Sequence, residues 1–151
     1  MKSSTYDKNA SVIYATTDHF TNIATVSSAD VSDLAKGLTK IDATNSGEWY
    51  NLDWFGNFYD GSSGWVYHET HGWLYTTDAG SGNFWFWDPE LKWWFWTGPS
   101  YYNVSSDSQG EFIYSSTHAE WLFFTTENGK RKFYRYSDTK WINPDGSEYS
   151  N

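Results

Sequence analysis

From Trp49 onward the large side chains recur at a period of two, the spacing of a β-strand rather than a helix. In Trp65-Val66-Tyr67 and Trp73-Leu74-Tyr75 that period puts the rings on one face of the strand and Val66 and Leu74 on the other. The runs are short and end in turn residues, as at Glu69-Thr70-His71-Gly72, Asp78-Ala79-Gly80-Ser81-Gly82, Asp88-Pro89-Glu90-Leu91-Lys92 and Glu127-Asn128-Gly129. Spacers this short join antiparallel neighbours, because a parallel crossover needs about a dozen residues. The pattern predicts an all-β antiparallel meander of about nine strands between Trp49 and Ile142, curled into a barrel or folded into two packed sheets.

The chain before Trp49 reads differently. Ser11–Thr17 and Phe20–Ser27 are rich in Thr, Val, Ile and aromatic residues, which suits strands over about 11–26. Val31, Leu34, Leu38 and Ile41 then recur at helical spacing, with Ser28 or Asp30 placed to cap and Gly37 near an end, which predicts one short helix over about 29–36. Residues 1–48 are therefore read as an N-terminal arm and 49–151 as an aromatic β domain.

That domain contains a duplication. Gly64–Thr77 aligns with Glu111–Thr126, and Phe84–Trp93 with Phe133–Trp141. Trp73 to Trp93 is twenty residues, as is Trp121 to Trp141. The alignment defines repeats over about 57–98 and 104–143, each of roughly 48 residues with its linker.

Composition sharpens this picture. The 33 Phe, Trp and Tyr outnumber the 16 Leu, Ile and Val, so any core is mostly aromatic. Only Tyr6, Tyr14 and Phe20 precede residue 49. Phe84-Trp85-Phe86-Trp87 and Trp93-Trp94-Phe95-Trp96 must point rings to both faces, so a second face needs a cover besides the core. The N-terminal third, another chain and a ligand such as a sugar are the three candidates. A net charge of −9 disfavours nucleic acid and anionic membrane surfaces. No apolar run is long enough to insert in a membrane, and Met1–Asp7 lacks the apolar stretch of a signal peptide. With no cysteine, no disulfide framework or thiolate metal site exists.

Candidate chemistry is sparse. His68-Glu69-Thr70-His71 is one residue short of the spacing of a helical zinc motif and sits at a predicted hairpin, so both histidines read as hydrogen-bonded turn residues and no metal is expected. No carboxylate spacing singles out an acid and a base, so no catalytic residue and no cofactor are expected. Lys130-Arg131-Lys132-Phe133-Tyr134-Arg135 reads as a basic patch on an exposed strand.

Gly64-Trp65-Val66-Tyr67, His71-Gly72-Trp73-Leu74-Tyr75 and Trp93-Trp94-Phe95-Trp96-Thr97-Gly98 resemble the hairpins of choline-binding and glucan-binding cell-wall repeats. They are more similar still to an uncharacterised aromatic-rich module near the ends of large bacterial surface and secreted proteins. The resemblance covers about residues 49–142. It implies an extracellular or cell-surface location, and an aromatic cage for a quaternary ammonium that carries over to Trp65, Tyr67, Trp73 and Tyr75.

The expected function is a non-catalytic structural module that associates with other protein chains, including copies of itself. The alternative is a carbohydrate- or cell-wall-binding module. Ligand contacts are expected at Trp65, Tyr67, Trp73, Tyr75, Trp85, Trp87, Trp94 and Trp96. Self-association into a filament by strand addition is expected through Val12, Ile13, Tyr14, Phe20 and Ile23.

Overall fold

Period-two alternation becomes strands that all pair antiparallel. The computed structural model describes residues 30–41, 48–104 and 111–150, together with the backbone of 4–7, 12–16 and 21–25. Two units are distinguished, Met1–Asp30 and Val31–Asn151. In the first, β1 (Ser4–Asp7), β2 (Val12–Thr16) and β3 (Thr21–Thr25) form a three-stranded meander with β2 in the middle. Val12, Ile13 and Tyr14 are thus on a strand paired on both sides, and Ile23 is on β3. Phe20 lies outside the described residues.

The second unit is one ten-stranded sheet whose strand order follows the chain. Its strands are β4 (Trp49–Leu52), β5 (Gly56–Ser62), β6 (Trp65–His68), β7 (Gly72–Gly80), β8 (Asn83–Asp88), β9 (Trp93–Thr97), β10 (Glu111–Ser115), β11 (Glu120–Glu127), β12 (Lys130–Arg135) and β13 (Lys140–Ile142). The fold is the expected all-β antiparallel meander, with one strand more than the count of about nine. β4 and β13 do not pair, so no barrel closes by backbone hydrogen bonds.

The expected helix over about 29–36 is not formed in its described part. Instead, successive turns span Ser32–Leu38, with Ala35 donating to the Ser32 carbonyl (3.0 Å) and Leu38 to that of Ala35 (3.1 Å). The competing contact is tertiary. Ser32 N–H donates to the buried Asp60 carboxylate at 3.1 and 3.3 Å, while Leu34 and Ala35 sink into the core. Gly37, at φ 78°, then turns the chain. So short an amphipathic segment gains more from these contacts than from helix nucleation.

No helix covers the sheet among the described residues, so its inner face is covered by the sheet itself and by two connections. Val66, Leu74, Phe86, Phe95, Ile113, Leu122, Phe124, Phe133 and Ile142 face inward and are at most 1% exposed. The sheet curls far enough for Trp93 on β9 to meet Phe133 on β12, with ring centroids 5.9 Å apart. The β4–β5 turn inserts Phe55, whose ring lies 5.0 Å from Phe86 and 5.7 Å from Tyr102. Tyr102, from the connection after β9, is fully buried between Phe55 and Phe124.

Both outer edges are blocked. Along β4, Ile41 N–H donates to the Trp49 carbonyl (2.9 Å) and Lys40 pairs with Glu48. Along β13, the chain turns at Pro144–Gly146 and returns, so that Tyr149 N–H donates to the Trp141 carbonyl (2.8 Å) and Lys140 pairs with Glu148 at 2.8 Å. Short covering segments carrying charge are a standard protection against edge-to-edge pairing.

Gly64 combines a close approach with a positive φ. At Gly64 (φ 86°) an added Cβ would lie 2.6 Å from Tyr75 Cε2, whereas at Gly72 (φ 76°) it would meet nothing within 4 Å. Gly64→Ala is therefore expected to lower unfolding free energy by about 2–4 kcal/mol, and Gly72→Ala by only about 1 kcal/mol, as read by urea denaturation. Equal losses would show that the ring contact is unimportant.

Candidate functional site

The outer face of the ten-stranded sheet is an array of rings. Cross-strand register sorts them into four rows, each spanning four strands. The first is Trp49, Tyr59, Tyr67 and Trp73 on β4–β7, and the second Trp65, Tyr75, Trp87 and Trp94 on β6–β9. The third is Trp85, Trp96, Tyr114 and Trp121 on β8–β11, and the fourth Phe112, Phe123, Tyr134 and Trp141 on β10–β13. Each row begins two strands after the last, so the structural repeat is a single hairpin and the 48-residue unit contains two. The true counterpart of Trp141 is Trp94, not Trp93 as the sequence alignment has it. Trp93 faces inward at 6% exposure.

All eight expected ligand residues lie on this outer face. The rings do not stand as separate platforms. Within the hairpins, seven directly opposed pairs of rings, all but Trp85–Trp96, pack at centroid distances of 5.3–5.9 Å and interplanar angles of 56–73°, the favourable tilted and edge-to-face geometry. The second face that the sequence leaves in need of a cover is therefore partly covered by its own rings. What stays most open is Trp73 at 47%, with Trp65 and Tyr67 at 37% each. Trp73 lies across Gly61, where an added Cβ would be 2.7 Å from Cζ3, so glycine lets the indole settle on the backbone.

The rows end in polar residues. Beside Trp49 and Tyr59, the next outward pair is Asn51–Asn57, joined by a 2.8 Å side-chain hydrogen bond. At the other end Lys132 lies over the rings of Trp141 (4.6 Å) and Tyr149 (5.0 Å) and pairs with Glu127. None of the outward residues in the rows from Trp49 to Tyr114 is charged, although the chain carries −9 overall.

A second feature lies where the turns of the curled sheet converge. The segment read as a basic patch is divided by the strand period: Arg131 and Phe133 face inward, Lys132 and Tyr134 outward. Arg131 pairs with buried Asp88 and with Glu90, and one of its amino groups lies 3.3 Å from His71 Nδ1. Because the guanidinium only donates, His71 is the Nε2–H tautomer and donates to the Tyr102 hydroxyl at 3.0 Å. His68 Nδ1 accepts from the N–H groups of Thr70 and His71 (3.2 and 3.3 Å), which leaves Nε2–H to donate to the Phe55 carbonyl at 2.8 Å. Ser115 replaces His68 in the second repeat, with its hydroxyl 2.8 Å from His118 Nδ1. Asp88, Tyr102 and Arg131 lie too far apart in sequence for their spacing to reveal them as a group. The signal for Arg131 was the same alternation that places Phe133 inside.

In front of this group is a cavity of about 490 Å³ bordered by Tyr67, Glu69, His71, Glu90, Lys130 and Arg131 among others. It contains a guanidinium, an ammonium, two carboxylates and a neutral imidazole. No cluster of three or more metal-ligating side chains occurs among the described residues.

Burial holds the imidazoles of His68, His71 and His118 below their ordinary value, His71 well below it with help from His68 and Arg131. As pH falls through the ordinary value of about 6.5, the unfolded chain takes up these protons and the folded chain does not. Stability is accordingly complete above that pH and declines below it. Urea unfolding is expected to give a lower free energy at about pH 5.5 than at about pH 7.5, with a shallower decline in His71→Gln. A flat or rising profile would contradict the buried neutral assignment.

Compared with known proteins, the chain matches no family model, no curated sequence and no solved structure.

Proposed function

We propose that this chain is a non-catalytic structural module of a bacterial cell-surface or secreted protein, and that it associates with other protein chains through its outer aromatic face. The observation that carries the reading is the uncharged run of rings from Trp49 to Tyr114 on a strongly acidic chain. Contact surfaces between proteins are enriched in Trp and Tyr and depleted of charge at their centres. The blocked edges favour the face over the edge as the contact, since neither β4 nor β13 offers a full row of unpaired backbone groups. Strand addition, the route to a filament, falls instead to the first unit. There β2 is paired on both sides, so the available edges belong to β1 and β3.

A second reading, a glycan-binding module, is favoured by Trp73. An indole laid on Gly61 with nearly half its surface open is suited to stacking against a sugar. The resemblance to cell-wall repeats supports the surface location under either reading.

Light scattering distinguishes the two. Copies of the chain are expected to associate with rising concentration, and joint replacement of Trp65, Tyr67 and Trp73 by Ser is expected to weaken that association about tenfold or more in a chain that is less stable to urea, because the lost rings also cover their neighbours, yet still unfolds cooperatively. Unchanged association in the variant would remove the face as the contact. A parent chain that stays monomeric, and whose tryptophan emission responds to a soluble neutral polysaccharide, would establish the glycan reading in its place.

A further inference from the structure

We infer that the cavity at the converging turns is a binding site for a small zwitterion of the amino-acid or short-peptide class, adjoining the aromatic face at Tyr67. The cavity, about 490 Å³, is of the size that admits such a molecule. It is bordered by the β6–β7, β8–β9 and β11–β12 turns and by Asn143 and Pro144 after β13, so it exists only because the sheet curls. Here Glu69 and Lys130 both border the cavity, and neither forms an ion pair among the described residues.

The charged groups at the back of the cavity define what fits. Arg131 is held from behind by Asp88, which is itself fixed by accepting the N–H groups of Glu90 (2.9 Å) and Leu91 (3.0 Å). Its second partner, Glu90, has a side chain 66% exposed and stands on a turn. A ligand carboxylate that takes the place of Glu90 on Arg131, beside the Lys130 ammonium, keeps the buried guanidinium paired. The ligand ammonium then takes the released Glu90 carboxylate together with Glu69. Arg131 and Glu90 stay paired throughout, and Glu69 and Lys130 gain partners. A simple anion on Arg131 and Lys130 would leave the Glu69 and Glu90 carboxylates without a partner, and a simple cation would leave Lys130 unpaired. The zwitterion alone balances the set. The Tyr67 ring and Pro144 supply apolar wall for a ligand side chain.

Calorimetric titration of the full chain with glycyl-leucine, its N-acetyl derivative and its C-terminal amide tests this. Glycyl-leucine is expected to bind saturably at millimolar concentration or below, and blocking either end is expected to weaken binding about tenfold. Lys130→Ala is expected to reduce the preference for glycyl-leucine over the amide several-fold, and Glu69→Gln the preference over the N-acetyl form, with Arg131 and Glu90 retaining the remainder. Both substituted residues are exposed, and an unchanged urea midpoint verifies that each variant folds. No saturable heat at millimolar concentration, equal binding of the blocked forms, or preferences undiminished in both variants would each overturn the inference.

Discussion

The architecture of the second unit depends on one constraint: its ten-stranded sheet buries an inner face, and the described residues of that unit form no helix and no other sheet to cover it. Curling is the remaining solution, and since β4 and β13 do not pair, the curl is closed by side chains. Arg131 on β12 reaches Asp88 at the end of β8, the His71 ring stacks on Phe124 at 4.5 Å, and Trp93 meets Phe133. Removing one partner of a buried ion pair leaves the other uncompensated, at a cost of about 3–5 kcal/mol. The Arg131–Asp88 contact is thus the one that the closure tolerates losing least.

A second consequence is a division of labour between the two faces. Inward positions mix Phe with Val, Leu and Ile, and the gaps at the ends of the curl are filled by Phe55 and Tyr102 from connections. Outward positions are almost entirely Trp, Tyr and Phe, which cover one another by tilted packing. Aromatic rings suit both tasks because their faces and edges attract, so an outer row can shield itself where aliphatic side chains would not. The polar ends of the rows, Asn51–Asn57 and Lys132, resemble the polar outer faces of capping units in repeat proteins.

Much of this was legible in the sequence, and the exceptions have physical causes. The antiparallel meander and the outward placement of Trp65, Tyr67, Trp73 and Tyr75 follow from alternation and short turns alone. Trp94 and Trp141 were not equated because identical letters, not faces, guided the alignment. The helix over about 29–36 failed because Ser32 is held by Asp60, 28 positions away, a contact that local periodicity does not contain. Arg131 was read as exposed because its sequence neighbours are basic, whereas its partners Asp88 and His71 come from other hairpins.

Closure of the curl by side chains is the claim on which both surfaces rest, and a double-mutant cycle between Arg131→Met and Asp88→Leu measures it most directly. Each single substitution strands a buried polar group, so the account predicts a coupling of about 2–3 kcal/mol, with the double variant more stable than the sum of the single losses allows. Additive losses, within about 0.5 kcal/mol, would contradict it.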